Sequence, residues 1–124
     1  MTGVIGIGGF GPGQAERRFL MAPDQNPAIS GTVTPDLNQG SVWPIFFPAG
    51  NITVANPVNA THGDVLVLIL TQDGVGARLV TWGAKYRKAL TLSVAANAVD
   101  CVSFVYELVR DRWLQLGAGA LALS

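Results

Sequence analysis

The sequence predicts an all-β domain: an antiparallel, jelly-roll-like β-sandwich behind an extended N-terminal arm. Three observations lead there. Short apolar runs recur roughly every 8–12 residues, the spacing of sandwiches and barrels, and make about eight strands. Each run is bounded by Gly, Pro, Asn or Asp, the residues that make turns. From Ile29 onward the pattern is β, and a turn or two of helix is offered only by Gln14 to Met21.

Residues 1–28 read as the arm. Gly3, Gly6, Gly8, Gly9, Gly11 and Gly13 crowd its start, and so much glycine costs too much backbone entropy to order alone. Gln14 to Met21 has the length of one or two helical turns, marginal for an isolated helix. Pro23 and Pro27 stop any continuation.

Residues 29–124 read as the sandwich. Ile29–Asp36 alternates weakly, and Asn38-Gln39-Gly40 turns the chain. Val42–Phe47 is interrupted by Pro44, so it belongs at an edge or a bulge. Ile52 and Val54 make a short third strand. Val65–Leu70 is apolar at every position, which marks a strand covered on both faces. One face of a two-layer sandwich meets water, so a partner subunit is the expected cover, through Val65, Val67 and Ile69. After the Asp73-Gly74 and Gly76 turn come Leu79–Trp82, Leu90–Val94, Val99–Tyr106 and Arg112–Leu116. The tail, Gly117-Ala118-Gly119-Ala120, is too small-sided to pack much. No internal repeat stands out.

Composition narrows the function classes. The chain has 124 residues, one domain by length. Eight basic and eight acidic residues cancel, leaving no field to attract nucleic acid or an anionic membrane. Charged residues are only 13% and hydrophobic residues 49%. That surplus of apolar side chains points to subunit contacts. The longest apolar run is six residues, against about 20 for a spanning helix. Met1-Thr2-Gly3-Val4 lacks the basic start of a secretory signal, so assembly in a reducing cytoplasm is expected.

No motif carries chemistry in its context. Gly6-Ile7-Gly8-Gly9-Phe10-Gly11 fits G-x-G-x-x-G, but Pro12-Gly13 follows directly and no βαβ unit surrounds it. His62, the only histidine, stands beside Asp64 in a loop, and one His with one Cys is a poor supply for zinc. Lys85-Tyr86-Arg87-Lys88 is too short a basic run on a neutral chain for nucleic-acid binding. Arg110-Asp111-Arg112 reads as a turn with local ion pairing. Cys101 lies on an apolar strand and reads as a small buried hydrophobe. Trp43, Trp82 and Trp113 read as core or interface anchors. The sequons Asn51-Ile52-Thr53 and Asn59-Ala60-Thr61 reflect β-turn composition. No catalytic residue, cofactor or metal site is expected, and an enzyme is the remote reading.

An ordered set of pieces does carry a resemblance: Gly50, then Gln72-Asp73-Gly74 closing a buried strand, Val80-Thr81-Trp82, Ala98-Val99-Asp100 and Trp113. Over roughly Gly31 to Leu116 the chain resembles a β-sandwich module of tailed-bacteriophage virion proteins. The module occurs in tail-fibre heads, receptor-binding heads and capsid decoration proteins. The resemblance implies a virion structural protein. Gly83 to Ala89 is short and basic where related modules carry a longer loop, and no stem or heptad region is present. The first expectation is therefore a decoration or cementing protein, a homotrimer on the major capsid protein or another virion protein. Phe10, Arg17, Arg18, Phe19, Leu20 and Met21 would make the capsid contact. The alternative is a receptor-binding head that recognises a host-surface saccharide through exposed aromatics and Asn56, Asn59 and Thr61.

Overall fold

The computed structural model describes residues 20–123. All eight elements are strands: β1 (Thr32–Val33), β2 (Val42–Phe46), β3 (Ile52–Val54), β4 (Val65–Thr71), β5 (Val80–Trp82), β6 (Tyr86–Arg87), β7 (Val99–Glu107) and β8 (Arg112–Leu123). No helix occurs among the described residues.

The strands do not form the expected antiparallel jelly-roll sandwich. They wind as a β-solenoid of about three turns, completed by a C-terminal hairpin. The finding that overturns the sandwich is the pairing. β1, β3 and β5 stack in parallel in one sheet, with Thr32 opposite Thr53 and Thr53 opposite Thr81. In the other sheet β2 runs parallel to β4, with Val42 opposite Val67. From β1 to β5 successive strands therefore lie in different sheets, and β1, β2 and β3 each pair with the strand two places on. Residues ahead of β1 begin the winding: Met21 bridges Val42 and Gln25 bridges Ile45, both in parallel. The physical reason for the miss is that Gly and Pro turns at short spacing serve both folds. A parallel pair needs a connection of about a dozen residues or more, and here an intervening strand in the opposite sheet supplies it.

The hairpin β7–β8 extends the larger sheet antiparallel to β4, giving the order β2-β4-β7-β8-β6. β6 returns to pair in parallel with β8, Tyr86 opposite Trp113. Leu90–Val94, expected as a strand, forms none, although Leu90 and Leu92 pack on the core. The glycine–alanine tail, expected to contribute little, continues β8, with Cys101 opposite Ala120 and Val99 opposite Leu123. Small side chains do not weaken the backbone's need to pair its donors and acceptors.

The core lies between the two sheets. Leu66, Leu68 and Leu70 of β4 point inward beside Val102 and Phe104 of β7. They meet Val33, Ile52 and Val54 from the smaller sheet. Trp43 is buried and donates its indole N–H to the Gly40 carbonyl at 2.9 Å. Tyr106 and Trp113 stack at 5.0 Å. The alternation in β4 turns Val65, Val67 and Ile69 outward, half-buried. Cys101, expected in the core, shares that outer face: it is unpaired, half-buried and opposite Ile69. Strand parity decides this, because Val102 and Phe104 take the inward positions.

Of the arm expected over residues 1–28, the described part runs along β2. Ser41 and Val42 donate backbone N–H groups to the Leu20 carbonyl at 3.0 and 3.1 Å. Ala22 is buried.

Candidate functional site

The parity of the short parallel strands builds one distinctive surface. In β3 the burial alternates, so Ile52 and Val54 enter the core and Thr53 faces out. Its neighbours obey the same alternation, and Thr32 and Thr81 are exposed on either side of it. A ladder of three threonines therefore crosses the outer face of the small sheet. Adjacent rungs sit one strand apart, about 4.8 Å.

One step earlier along each coil lies a corner. Ser30 donates its backbone N–H to the Asn51 carbonyl at 2.9 Å. The Asn51 side-chain oxygen accepts the Leu79 N–H at 2.9 Å, and Ile52 donates to the Leu79 carbonyl at 3.1 Å. Ser30 adopts a φ of 61°, the left-handed region uncommon for a residue with a side chain. These bonds lock three coils in register at the corner. Between corner and ladder lies an open groove of about 220 Å³, lined by Ser30, Asn51, Ile52, Thr53 and Thr81.

Behind β4 a second set of bonds fixes the long connection to β5. Gln72 is buried. Its amide donates to the carbonyls of Arg78 (2.8 Å) and Ser93 (3.1 Å) and accepts from the Arg78 N–H (3.1 Å). Asp73 accepts from the Gly76 N–H at 2.8 Å and pairs with Arg78 at 2.9 Å. The Arg78 guanidinium, then the Gly76 N–H, pull the Asp73 carboxyl from 3.8 to about 2. Gly76 has a φ of +84°, and a Cβ there would lie 2.7 Å from the Ala96 nitrogen. The turn read from Asp73-Gly74 and Gly76 is real, but it changes sheets and is not a hairpin.

The sequence-nominated residues scatter. Val65, Val67 and Ile69 stand together on the outer face of the large sheet. Leu20 and Met21 are exposed along β2, while Phe10, Arg17, Arg18 and Phe19 lie outside the described residues, as does the glycine motif at 6–11. Asn56 accepts the Lys85 N–H, and Asn59 donates to Asp36, so both brace loops. His62 accepts the Leu108 N–H through Nδ1. The basic run disperses. Lys85 pairs with Asp111 at 2.8 Å, Tyr86 is buried with its hydroxyl on the Ala55 carbonyl, and Lys88 stands over Trp82 at 5.7 Å. Burial raises the Tyr86 phenol. Arg110 and Arg112 both pair with Glu107 and hold its carboxyl below the usual range, Arg112 contributing most. That is the local pairing the sequence suggested.

The groove was not nominated, since it needs the register of three coils. A signal for it exists: Gly31-Thr32-Val33, Ile52-Thr53-Val54 and Val80-Thr81-Trp82 repeat a threonine before an apolar residue, at unequal intervals. Among the described residues no group of three or more His, Cys, Asp or Glu could hold a metal ion.

No curated protein and no solved structure shows significant similarity to the chain. Residues 31–109 match the family described as "Putative phage tail fibre C-terminal domain". The matched stretch runs from the first rung of the threonine ladder to the end of β7 and covers more than half of the sequence. The chain therefore belongs to this phage tail fibre C-terminal domain family and is a structural component of a bacteriophage virion.

Proposed function

We propose that the chain is the host-facing module of a phage tail fibre and that it recognises saccharide on the bacterial surface as a homotrimer. The observation that carries this reading is the family match, which favours the tail-fibre alternative over capsid decoration. Leu20 and Met21, about 50% and 60% exposed, remain open to another virion protein, which on this reading is the rest of the fibre.

The outer face of the large sheet supports self-association. Val42, Val67 and Ser103 line up across three strands, and Ile69 lies beside Cys101. Leu116 continues the row at 42% exposure. Among the described residues the charges on this face stand at its margins, Glu107 and Arg112 at one end and Arg87 on the edge strand β6. Apolar, charge-poor surface is the composition of an oligomer interface core. Three copies multiply a weak contact by avidity.

The test is competition. Purified chain incubated with susceptible bacteria should bind them and slow adsorption of the parent phage. A chain that neither binds cells nor affects adsorption would overturn the reading.

A further inference from the structure

We infer that the groove between the Ser30–Asn51 corner and the threonine ladder is the saccharide-binding site, and that it takes a neutral sugar unit of a bacterial surface polysaccharide. The inference rests on the proposed host-recognition role and adds its location and ligand chemistry.

The first argument is the lining. Ser30, Thr53 and Thr81 present hydroxyls and Asn51 presents a side-chain amide. The three hydroxyls and the Asn51 Nδ2 have no hydrogen-bond partner among the described residues. Each hydroxyl can donate once and accept twice, which is what a polyhydroxylated ring requires. No acidic or basic residue lines the groove, so nothing there would hold the carboxylate of an acidic sugar.

The second argument is rigidity. The groove is not built from a mobile loop. Thr53 and Thr81 are paired positions in a parallel ladder, and backbone and Asn51 side-chain bonds lock the corner. Hydroxyls held this way lose little freedom on binding, which is how a small site gains affinity. The left-handed Ser30 is the one strained residue at the groove, and such strain concentrates where chains bind ligands.

The third argument is the flank. Ile29, which precedes Ser30 in sequence, and Leu79, which donates its backbone N–H to the Asn51 side chain, are exposed at 61% and 57%. They offer apolar surface to the C–H faces of a sugar. At about 220 Å³ the groove is smaller than the ~300–1,000 Å³ of drug-sized pockets. It suits one ring of a longer chain, held weakly at each copy and firmly by several.

The test uses the full chain on a printed array of neutral and acidic bacterial surface polysaccharides. Thr53→Val and Thr81→Val remove hydroxyls while keeping a β-branched side chain. Thr34→Val, exposed and outside the groove, is the control. Circular dichroism and the thermal midpoint establish that each variant folds. The parent should bind neutral polysaccharides. Each groove variant should raise the half-saturation concentration about 3-fold to 10-fold and the double variant more than 10-fold, the loss of one to two hydrogen bonds. Thr34→Val should bind as the parent does. Should a folded double variant bind like the parent, the saccharide sits elsewhere and the groove assignment falls while host recognition stands. A preference for acidic polysaccharides would also overturn the groove. If the parent binds bacteria but not glycans, and protease treatment of the cells abolishes binding, the receptor is a protein. Binding to neither array nor cells would remove the proposed function along with the groove.

Discussion

Replacing Gln72 by leucine tests how the solenoid is held where β4 crosses to β5. The side chain is 4% exposed and makes three hydrogen bonds, two to Arg78 and one to Ser93. Gln72→Leu keeps the size and strands three backbone groups. Each costs about 1–3 kcal/mol if it stays dry. Arg78 and Ser93 are half-buried, so water can recover part of that, and leucine returns some transfer free energy. The expected net loss is about 2–4 kcal/mol, a large share of the ~5–15 kcal/mol that holds a domain. Urea unfolding followed by tryptophan fluorescence measures it, since Trp43 and Trp113 are buried reporters. Gln72→Glu keeps the acceptor for the Arg78 N–H but cannot donate to the two carbonyls when ionised. It should cost at least as much at neutral pH. A Gln72→Leu protein within about 0.5 kcal/mol of the parent, the scatter of ordinary surface changes, would refute the bracket.

Other expectations follow from single contacts. A Cβ at position 83 would lie 2.6 Å from the Asn56 backbone nitrogen, so Gly83→Ala should cost about 1–3 kcal/mol by overpacking, read by thermal melting. Asp73 titrates near 2 when folded against an ordinary 3.8. Its contribution is complete above about pH 4 and fades as pH falls toward 2. Stability of Asp73→Asn should fall less steeply than the parent's across that window in acid titrations of the denaturation midpoint. Val67→Lys places a charge in the middle of the outer apolar face. Light scattering should show the proposed trimer for the parent chain and, for the variant, a monomer whose circular dichroism is unchanged. Tyr86→Phe removes the bond to the Ala55 carbonyl and should cost about 0.5–1.5 kcal/mol in urea.

Most strand positions were legible in the sequence, although Leu90–Val94 forms no strand and β6 was not expected; strand partners were not legible. The turn residues around Ile52–Val54 and the apolar run Val65–Leu70 locate β3 and β4 to within a residue. Alternation and punctuation are local, so they survive any topology. Whether Thr53 meets Thr81 or an antiparallel neighbour depends on which sheet each strand joins, and local pattern is silent on that. Val65–Leu70 held a clue. A run apolar at every position is typical of parallel strands, and β4 does run parallel to β2. Unequal coils hid the repeat: Gly31-Thr32-Val33, Ile52-Thr53-Val54 and Val80-Thr81-Trp82 stack in space but are unevenly spaced in sequence. The groove escaped for the same reason, since its residues come from three coils. Cys101 was misplaced by reading an apolar neighbourhood without its parity.

The measurement that bears most directly on the tail-fibre assignment is the position of the chain on intact particles. Gold-labelled antibodies raised against the purified chain, viewed by electron microscopy on phage, should mark the distal ends of the tail fibres. Label distributed over the capsid, with bare fibres, would contradict the account and return the chain to capsid decoration.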